Sequence, residues 1–265
     1  MIRIVLVGAA GRMGRAVEAA VQAADDVEIV ARVGRKPAGL EDLRQNFPAG
    51  TGVWTDDAQS VTGRGDVIVD FSGPAGARAA AAAAALRGAA LVTGSTGLTA
   101  ADETALRDAA GRVAVLRATN FSLGVAALRV ALRAALASVP ASWDVEIVER
   151  HHRLKQDSPS GTALTLAEDV RAIRDGAGLR QGREGVVGPR QAGEIGMHSV
   201  RGGTWVGDHQ VLLAGEGETL ELRHVAQDRA AFAQGALAAA RFVAGATPGW
   251  YTLDDMLRGS LARAH

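Results

Sequence analysis

Cysteine is absent from this 265-residue chain, so disulfide bonds and thiolate metal sites are excluded. Aromatic side chains make up only 4 % of the residues, which argues against a surface that stacks nucleic-acid bases. Neither sign of charge is in excess, because 29 basic side chains balance 29 acidic ones. There is thus no global attraction toward nucleic acid or an anionic membrane. We expect no nucleic-acid partner and no resident metal ion.

Long apolar runs are lacking as well. The longest alanine run, Ala79–Ala85, is too short and too weakly apolar to span a bilayer, and arginines flank it. The apolar run at the N-terminus is too short for a signal peptide, and glycines follow it at once. We therefore expect a cytoplasmic protein without a membrane partner. Its length suits one large domain or two modest ones with a substantial core.

The N-terminus combines a strand, a glycine turn and a helix. Ile2–Val7 is apolar and β-branched, which predicts a buried parallel strand, and Val17 and Val21 then recur at helical spacing. This context is the one that a dinucleotide-binding turn requires, although the glycine spacing is GxxGxxG rather than GxGxxG. The candidate cofactor-binding residues of the turn are Gly8, Ala9, Ala10, Gly11, Arg12, Met13 and Gly14.

The end of the second predicted strand, Val27–Val33, bears on which cofactor binds. An acid that grips the ribose 2′-hydroxyl of NAD is expected about 20 residues beyond the glycines, where this chain has Gly34. Arg35 and Lys36 follow and could hold a 2′-phosphate instead. The pattern favours NADPH, with NADH possible; the alternative is that these two cations belong to a solvated surface turn.

Strands continue to alternate with helices up to residue 120. They are predicted at Gly52–Thr55, Asp66–Phe71, Ala89–Thr93 and Val113–Ala118. Loops at the carboxyl ends of parallel strands are where an open α/β sheet binds ligands. Further candidate cofactor contacts in these loops are Phe71, Gly94, Ser95, Thr96, Thr119, Asn120 and Phe121.

The alternation stops near residue 120, which predicts a second domain of α+β type after an N-terminal, Rossmann-type, doubly wound parallel sheet. Residues 176–194 are rich in Gly, Arg and Gln and are predicted to form a mobile loop. We expect a mixed or, for the most part, antiparallel sheet of four strands, and helices at both ends of this second half. The predicted strands are Asp144–Glu149, Ile195–Val200, Trp205–Leu213 and Glu218–Ala226, and the predicted helices are Leu123–Ala137, a helix ending at about Asp175, Arg229–Ala244 and Leu253–Leu261.

Residues 149–163 contain several groups that suit proton transfer and the binding of an anion. His151 is a possible proton donor, and Arg153 and Lys155 add positive charge close by. Ser158 is predicted to be the N-cap of a helix, with Pro159 at its first position. The N–H groups of the next residues would then form an anion site the size of a carboxylate. The alternative is a basic loop that caps an ordinary helix. The N–H groups in question belong to Ser160, Gly161 and Thr162.

The order of these motifs resembles bacterial dihydrodipicolinate reductase, also called 4-hydroxy-tetrahydrodipicolinate reductase, over nearly the whole chain. Residues 151–163, HHRLKQDSPSGTA, are similar to the family pattern HHxxKxDAPSGTA, with Ser158 in place of the usual Ala. Gly34 departs from the acid found in many members, and Gly73 lies where some carry a basic residue. The other matching pieces are GAAGRMG at 8–14, VDFS at 69–72, GSTG at 94–97, NFS at 120–122, VRGG at 200–203 and VGDH at 206–209.

The resemblance implies reduction by NAD(P)H of a cyclic, α,β-unsaturated imine dicarboxylate in lysine and diaminopimelate biosynthesis. It implies a dinucleotide-binding domain at 1–120 plus 229–265, and a domain for substrate binding and tetramerisation at 121–228, in a homotetramer. His151 would be the proton donor and Lys155 its catalytic partner. By the same resemblance, the substrate would be bound by His152, Ser160, Gly161, Thr162 and Arg229.

Two other classes of function remain open at this point. One is an oxidoreductase of similar layout, such as diaminopimelate, homoserine or aspartate-semialdehyde dehydrogenase, of which the last needs a nucleophilic cysteine that this chain lacks. The other is a regulatory protein that senses redox state by binding NAD(P). Such a protein would not need the cluster at 151–162.

Overall fold

The computed structural model describes residues 1–34, 53–58 and 66–261. The chain divides into two compact units, Met1–Leu123 with Arg229–His265, and Gly124–Asp228. Arg35 and Lys36, the predicted contacts to a 2′-phosphate, lie outside the described residues. No helix in the described part of the chain combines the length and the apolar character needed to cross a membrane.

The described elements alternate between strand and helix in the first half of the chain and are less regular in the second. In chain order they are β1 (Ile2–Val7), α1 (Arg12–Gln22), β2 (Val27–Val33), β3 (Val53–Thr55), β4 (Val67–Asp70), α2 (Pro74–Arg87), β5 (Ala90–Thr93), α3 (Ala100–Ala110), β6 (Ala114–Arg117), α4 (Leu123–Ser138), β7 (Asp144–His151), α5 (Gly161–Arg171), β8 (Leu179–Gln181), β9 (Ile195–Arg201), β10 (Gly207–Gly215), β11 (Glu218–Ala226), α6 (Ala230–Ala244), β12 (Gly249–Tyr251) and α7 (Leu253–Leu261).

The first unit is built on a sheet with the strand order β3-β2-β1-β4-β5-β6-β12. Every pairing in it is parallel. The order reverses between β1 and β4, which is the point where a doubly wound sheet opens a crevice for a ligand. The predicted Rossmann-type fold is therefore confirmed. Strand β12 was not predicted, because three residues are too few to show a periodicity.

Alanine lets helix α2 pack closely on this sheet. Ala77, Ala80 and Ala83 are fully buried, so one face of the alanine run forms part of the core. Strands β4 and β5 beneath it are buried along their whole length, as expected for strands covered on both faces. The next helix, α3, begins after Thr99, whose side chain accepts the Asp102 N–H while Asp102 accepts the Thr99 N–H, and these two bonds form a capping box.

The second unit has a five-stranded sheet in the order β11-β10-β7-β9-β8. Helices α4 and α5 cover one face of it, where Leu132, Leu166, Ile147 and Val211 form a buried core. Alternate residues of β7 point into this core, as Val145 and Ile147 are buried while their neighbours are partly exposed. The other face is open in the single chain.

Of the two predicted kinds of sheet, the mixed one is confirmed and the largely antiparallel one is wrong, since two of the four pairings are parallel. The sheet has five strands rather than the predicted four. Strand β7 lies between β9 and β10, so the Gly202-Gly203 turn does not join a hairpin. The chain runs from β7 through α5 before it returns to pair with β7, and such a crossover brings strands together in parallel. Strand β8 lies in the segment predicted as a mobile loop, and α5 ends at Arg171 rather than near Asp175.

Helix α6 approaches the end of β6 unusually closely. A Cβ at Gly235 would lie 2.9 Å from the carbonyl carbon of Phe121 and closer still to its oxygen. Only a residue without a side chain fits there, so Gly235 fixes how near α6 comes to the loop after β6. Gly259 in α7 is a helical glycine without this constraint, because a Cβ there would meet Phe242 at an ordinary 3.9 Å.

These two glycines make a matched pair. We expect Gly259→Ala to stabilise the protein by up to about 1 kcal/mol, the usual helix-propensity gain. Gly235→Ala should instead lower the free energy of unfolding by about 1–3 kcal/mol, because the added methyl group overpacks the site. Urea unfolding of both variants measures the difference. Equal effects of the two substitutions would contradict the close approach described above.

Candidate active site

Strand β7 carries two functional side chains on its core face, at its carboxyl end. The alternation that buries Val145 and Ile147 also turns Glu149 and His151 to that face. Glu149 is fully buried, and His151 is 8 % exposed. A strand therefore places the candidate proton donor two residues from a buried carboxylate, on the same side of the sheet.

The Glu149 carboxylate is held by donors from three elements. It lies 2.5 Å from Nδ1 of His151, accepts the Ser160 N–H at 3.1 Å, and receives two bonds from Arg201, at 2.7 and 2.8 Å. Burial opposes ionisation of this carboxyl group, but the bonds from His151, Arg201 and Ser199 outweigh it and hold its pKa well below the ordinary value. Glu149 is therefore an anion at neutral pH.

An ionised carboxylate can only accept hydrogen bonds. Nδ1 of His151 must then carry the hydrogen in its bond to Glu149, and this assigns the tautomer of the ring. The nitrogen left for chemistry is Nε2. Such a carboxylate–histidine pair fixes the orientation of the ring.

The helix that follows begins two residues later than predicted. Ser160, not Ser158, is the N-cap: its backbone is extended and its Oγ accepts the Ala163 N–H at 3.2 Å. Two serines flank Pro159, and both are good caps by residue type. Tertiary bonds decide between them, because the Ser160 N–H is bound to Glu149. That N–H was predicted to bind an anion and is already used within the protein.

A second histidine supports the cap from β10. His209 is 3 % exposed, its Nε2 lies 3.1 Å from Ser160 Oγ, and its ring meets that of His151 edge to face at 5.1 Å. Burial, together with the positive charge that His151 can carry, lowers the pKa of His209 to about 4. His209 is therefore neutral in the physiological range. Its Nδ1 has no hydrogen-bond partner among the described residues.

The predicted cations lie on the turn between β7 and α5. Lys155 Nζ donates to Asp157 Oδ1 at 2.8 Å, and the Lys155 N–H closes the turn on the His152 carbonyl. His152 is anchored by its own N–H to the Trp205 carbonyl, and its Nδ1 is buried without a partner among the described residues. Lys155 is thus paired with Asp157 rather than with His151. It stands on the same turn as the candidate donor.

The remaining predicted substrate contacts lie in different places. Gly161 and Thr162 open helix α5, beside Ser160. Arg229 precedes helix α6, is exposed, and belongs to the first unit, whereas the 151–162 residues belong to the second.

In the first unit, the glycine turn has the close contacts that a dinucleotide turn needs. Gly8 has φ +81°, and a Cβ on it would lie 2.7 Å from the Phe71 carbonyl oxygen. A Cβ at Gly14 would lie 2.6 Å from the Ala9 Cα, so the third glycine lets the helix pack onto the turn. Helix α1 begins at Arg12, and its first N–H groups have no partner within the helix. The predicted turn residues Ala10, Gly11 and Met13 complete this segment.

One buried carboxylate, Asp70, ties together the loops that follow β4 and β5. It accepts bonds from Ser72 N and Oγ, from Thr93 Oγ1 and from Ser95 Oγ. Ser95 Oγ also accepts the N–H groups of Ser72 and Gly73. The hydroxyl of Ser95 thereby uses its one donor and both acceptor positions. A contact from Ser95 to a cofactor would therefore come from its backbone.

The other predicted loop residues cluster at the same edge of the sheet. The rings of Phe71 and Phe121 meet edge to face at 5.3 Å, and a Cβ at Gly94 would lie 2.7 and 2.9 Å from ring atoms of the two. Thr96 and Thr119 are exposed on the neighbouring loops, while the Asn120 side chain accepts the Ser122 N–H at 2.8 Å. The structure thus brings the loops after β4, β5 and β6 together.

Glu149, Arg201 and His209 were missed as site residues by the sequence analysis. Glu149 had a usable signal, because alternation along β7 puts it on the face of His151. Arg201 and His209 lie in the matching pieces at 200–203 and 206–209, but nothing local placed them beside His151, since their neighbours depend on the sheet order.

Comparison with known proteins gives one consistent result. Residues 2–121 match the family described as Dihydrodipicolinate reductase, N-terminus, and residues 124–257 match Dihydrodipicolinate reductase, C-terminus. The chain is 46 % identical to 4-hydroxy-tetrahydrodipicolinate reductase of Thermomicrobium roseum over 97 % of this chain and 100 % of that one. It is 43 % identical to the protein of the same name from Thiobacillus denitrificans, over 97 % and 98 %.

A solved structure is similar along almost the whole length. It is a dipicolinate-bound dihydrodipicolinate reductase from Paenisporosarcina sp. TG-14, with a TM-score of 0.78 and 28 % identity over 95 % of this chain and 97 % of that one.

The low pKa of His209 predicts how stability depends on pH. An unfolded histidine takes up a proton near pH 6.5, but the folded one does so only near pH 4. The unfolded state therefore binds more protons between these values, and His209 should remove about 3 kcal/mol of stability as the pH falls through this window. His209→Gln should flatten that part of the curve in urea unfolding. Parallel curves for variant and wild type would contradict the assignment.

Proposed function

This chain belongs to the dihydrodipicolinate reductase family, and on that premise we propose that it reduces 4-hydroxy-tetrahydrodipicolinate to tetrahydrodipicolinate with NADPH or NADH, in the cytoplasm, for lysine and diaminopimelate biosynthesis. The family itself rests on matches that cover both halves of the chain. The observation that carries the proposed chemistry is the buried Glu149–His151 pair beside the start of helix α5. It fits an enzyme better than a protein that only senses a dinucleotide.

The substrate is a dicarboxylate, so its site must neutralise negative charge. The first turn of α5 offers N–H groups at Gly161 and Thr162 and the positive end of the helix dipole. Lys155 and the buried, unpartnered Nδ1 of His152 stand on the preceding turn. We assign these four residues, with the Ser160 cap, to carboxylate binding. Arg229 is an additional proposed contact from the segment before α6.

Reduction of the ring requires a proton as well as a hydride. The bond from Nδ1 to Glu149 leaves Nε2 of His151 as the atom that holds this proton. A histidine is well matched to proton transfer near neutral pH. Lys155 supports the transfer by holding the substrate carboxylate next to it.

The cofactor site proposed for the first unit fits a dinucleotide. Gly8 and Gly14 bring the backbone close to its neighbours, and the open end of α1 suits a pyrophosphate. When bound, the nicotinamide supplies the hydride. The other proposed contacts are Ala9, Ala10, Gly11, Arg12, Met13, Phe71, Gly94, Ser95, Thr96, Thr119, Asn120 and Phe121, with Arg35 and Lys36 for the 2′-phosphate.

Arg35 tests the preference for NADPH. A carboxylate that would repel a 2′-phosphate is absent at Gly34, and Arg35 adds a positive charge directly after it. We expect Arg35→Ala to lower kcat/KM for NADPH and to leave that for NADH nearly unchanged, because only NADPH carries the phosphate. Steady-state kinetics with both nucleotides give the ratio. A ratio equal to that of the wild type would rule out this role.

The open face of the five-stranded sheet supports assembly into a homotetramer. Its charges are paired within the face: Asp208 is 2 % exposed and bonds Arg150 at 3.2 Å and Arg223 at 2.7 Å. Paired charges cost less to bury than isolated ones. Val225 is 48 % exposed on the same face. Light scattering at micromolar concentration should give about four times the chain mass of 27.2 kDa; a stable monomer would contradict this.

Three substitutions separate the proposed roles in the active site. His151→Gln should lower kcat by roughly 10²–10⁴, the usual range for a general acid. Lys155→Ala should lower kcat and raise KM for the dicarboxylate, while Thr162→Val should act on KM alone. The nucleotide Kd should change little in all three.

The alternative, that these residues merely cap a helix, predicts a different result. All three variants would then melt at lower temperature while kcat per folded molecule stayed near that of the wild type. Kinetics and melting curves on the same preparations distinguish the two.

A further inference from the structure

We propose that Glu149 is the positioning residue of the site, and that this one carboxylate sets both the orientation of the proton donor and the position of the helix start that binds the substrate. The inference rests on the proposed function, in which His151 is the donor and α5 receives a carboxylate. No motif in the sequence marks Glu149 for this role. It follows from what the two oxygens of its side chain contact.

Each oxygen of Glu149 serves a different part of the site. Oε2 lies 2.5 Å from His151 Nδ1, and Oε1 accepts the Ser160 N–H at 3.1 Å. Arg201 bonds both oxygens in a fork, at 2.8 and 2.7 Å, so the carboxylate plane cannot turn freely. The donor and the N-cap of α5 are therefore fixed relative to each other by a single rigid group.

Arg201 extends this clamp to the turn before the helix. Its Nη2 also donates to the Asp157 carbonyl at 2.8 Å. Both ends of the 157–160 segment are thereby held, at Asp157 by Arg201 and at Ser160 by Glu149. A shift of Glu149 would move the start of α5 as well as the imidazole.

The charged and titratable groups around His151 come from three strands. Glu149 lies on its own strand, Arg201 on β9 and His209 on β10, while helix α5 contributes the uncharged Ser160. Among these neighbours Glu149 is the anion. Its loss would remove the acceptor that holds Nδ1 of His151 and would leave the ring beside the Arg201 guanidinium.

The same strand supplies a matched control. Glu146 is also bonded by a histidine and by arginines, with His198 Nε2 at 2.7 Å and Arg183 at 3.0 Å. It points to the open face of the sheet, away from the core face that carries His151. The two glutamates thus share chemistry and differ in location.

We expect Glu149→Gln to lower kcat by about 10–100-fold, the usual cost of removing a group that orients an active side chain. The new amide presents N–H groups to partners that are all donors, so KM for the dicarboxylate should rise as well. Glu146→Gln, with its mass in solution verified, should match the wild type in both kcat and KM.

The double variant His151→Gln/Glu149→Gln tests whether Glu149 acts through the donor. If it does, kcat of the double variant should equal that of His151→Gln alone. Losses that multiply, or a Glu149→Gln enzyme that behaves like Glu146→Gln, would overturn the proposal. A wild-type kcat for His151→Gln would instead contradict the proposed function. The experiment therefore distinguishes a failure of the positioning role of Glu149 from a failure of the proposed function.

Glu149→Asp covers the case in which the glutamine variant does not fold. It keeps the charge but is shorter by one methylene, so it cannot reach His151 and Ser160 together. We expect a reduced kcat. Melting curves on the same samples report whether the variant is folded. A wild-type kcat would refute positioning by this side chain.

Discussion

Each unit of this protein is organised by one buried carboxylate at the carboxyl end of a central strand. Asp70 ends β4, Glu149 lies near the end of β7, and both are fully buried. A buried anion is tolerated only if donors satisfy it, and those donors must come from whatever lies nearest. For Asp70 they come from the end of β5 and from the loops that follow β4 and β5, and for Glu149 from β7, β9 and the N-cap of α5. The need to satisfy the buried charge therefore helps to fix the geometry of these segments.

The two carboxylates organise their surroundings differently. Asp70 collects donors that are mostly hydroxyl groups, from Ser72, Thr93 and Ser95, and so joins two loops without bringing in a second charge. Glu149 is bonded by an arginine and a histidine, so it joins two strands and also fixes the orientation and tautomer of a ring. The first arrangement suits a platform on which a cofactor rests. The second suits a group that gains and loses a proton.

Local sequence signals were sufficient to predict the architecture of the first unit but not that of the second. Apolar strands that alternate with helices indicate a doubly wound sheet, and the preference for right-handed crossovers restricts how its strands are connected. In the second unit the order of strands depends on which edges meet, and no local feature reports that β7 separates β9 from β10. The N-cap of α5 could not be predicted for the same reason. Ser158 and Ser160 are equivalent by residue type, and only the bond to Glu149 distinguishes them. His151 could be found by its motif, whereas Arg201 and His209 required the sheet.

At Gly34 this chain lacks the acid that many members of the family carry, and the backbone conformation at this position favours glycine. Gly34 ends β2 with φ +137°, a conformation that residues with a side chain rarely adopt, and its N–H bonds the Thr55 carbonyl at 2.9 Å. A Cβ there would lie 3.9 Å from Gly8, so space alone would admit a larger residue. The backbone angle, not crowding, is what favours glycine. An acid at this position would need the chain to leave β2 differently.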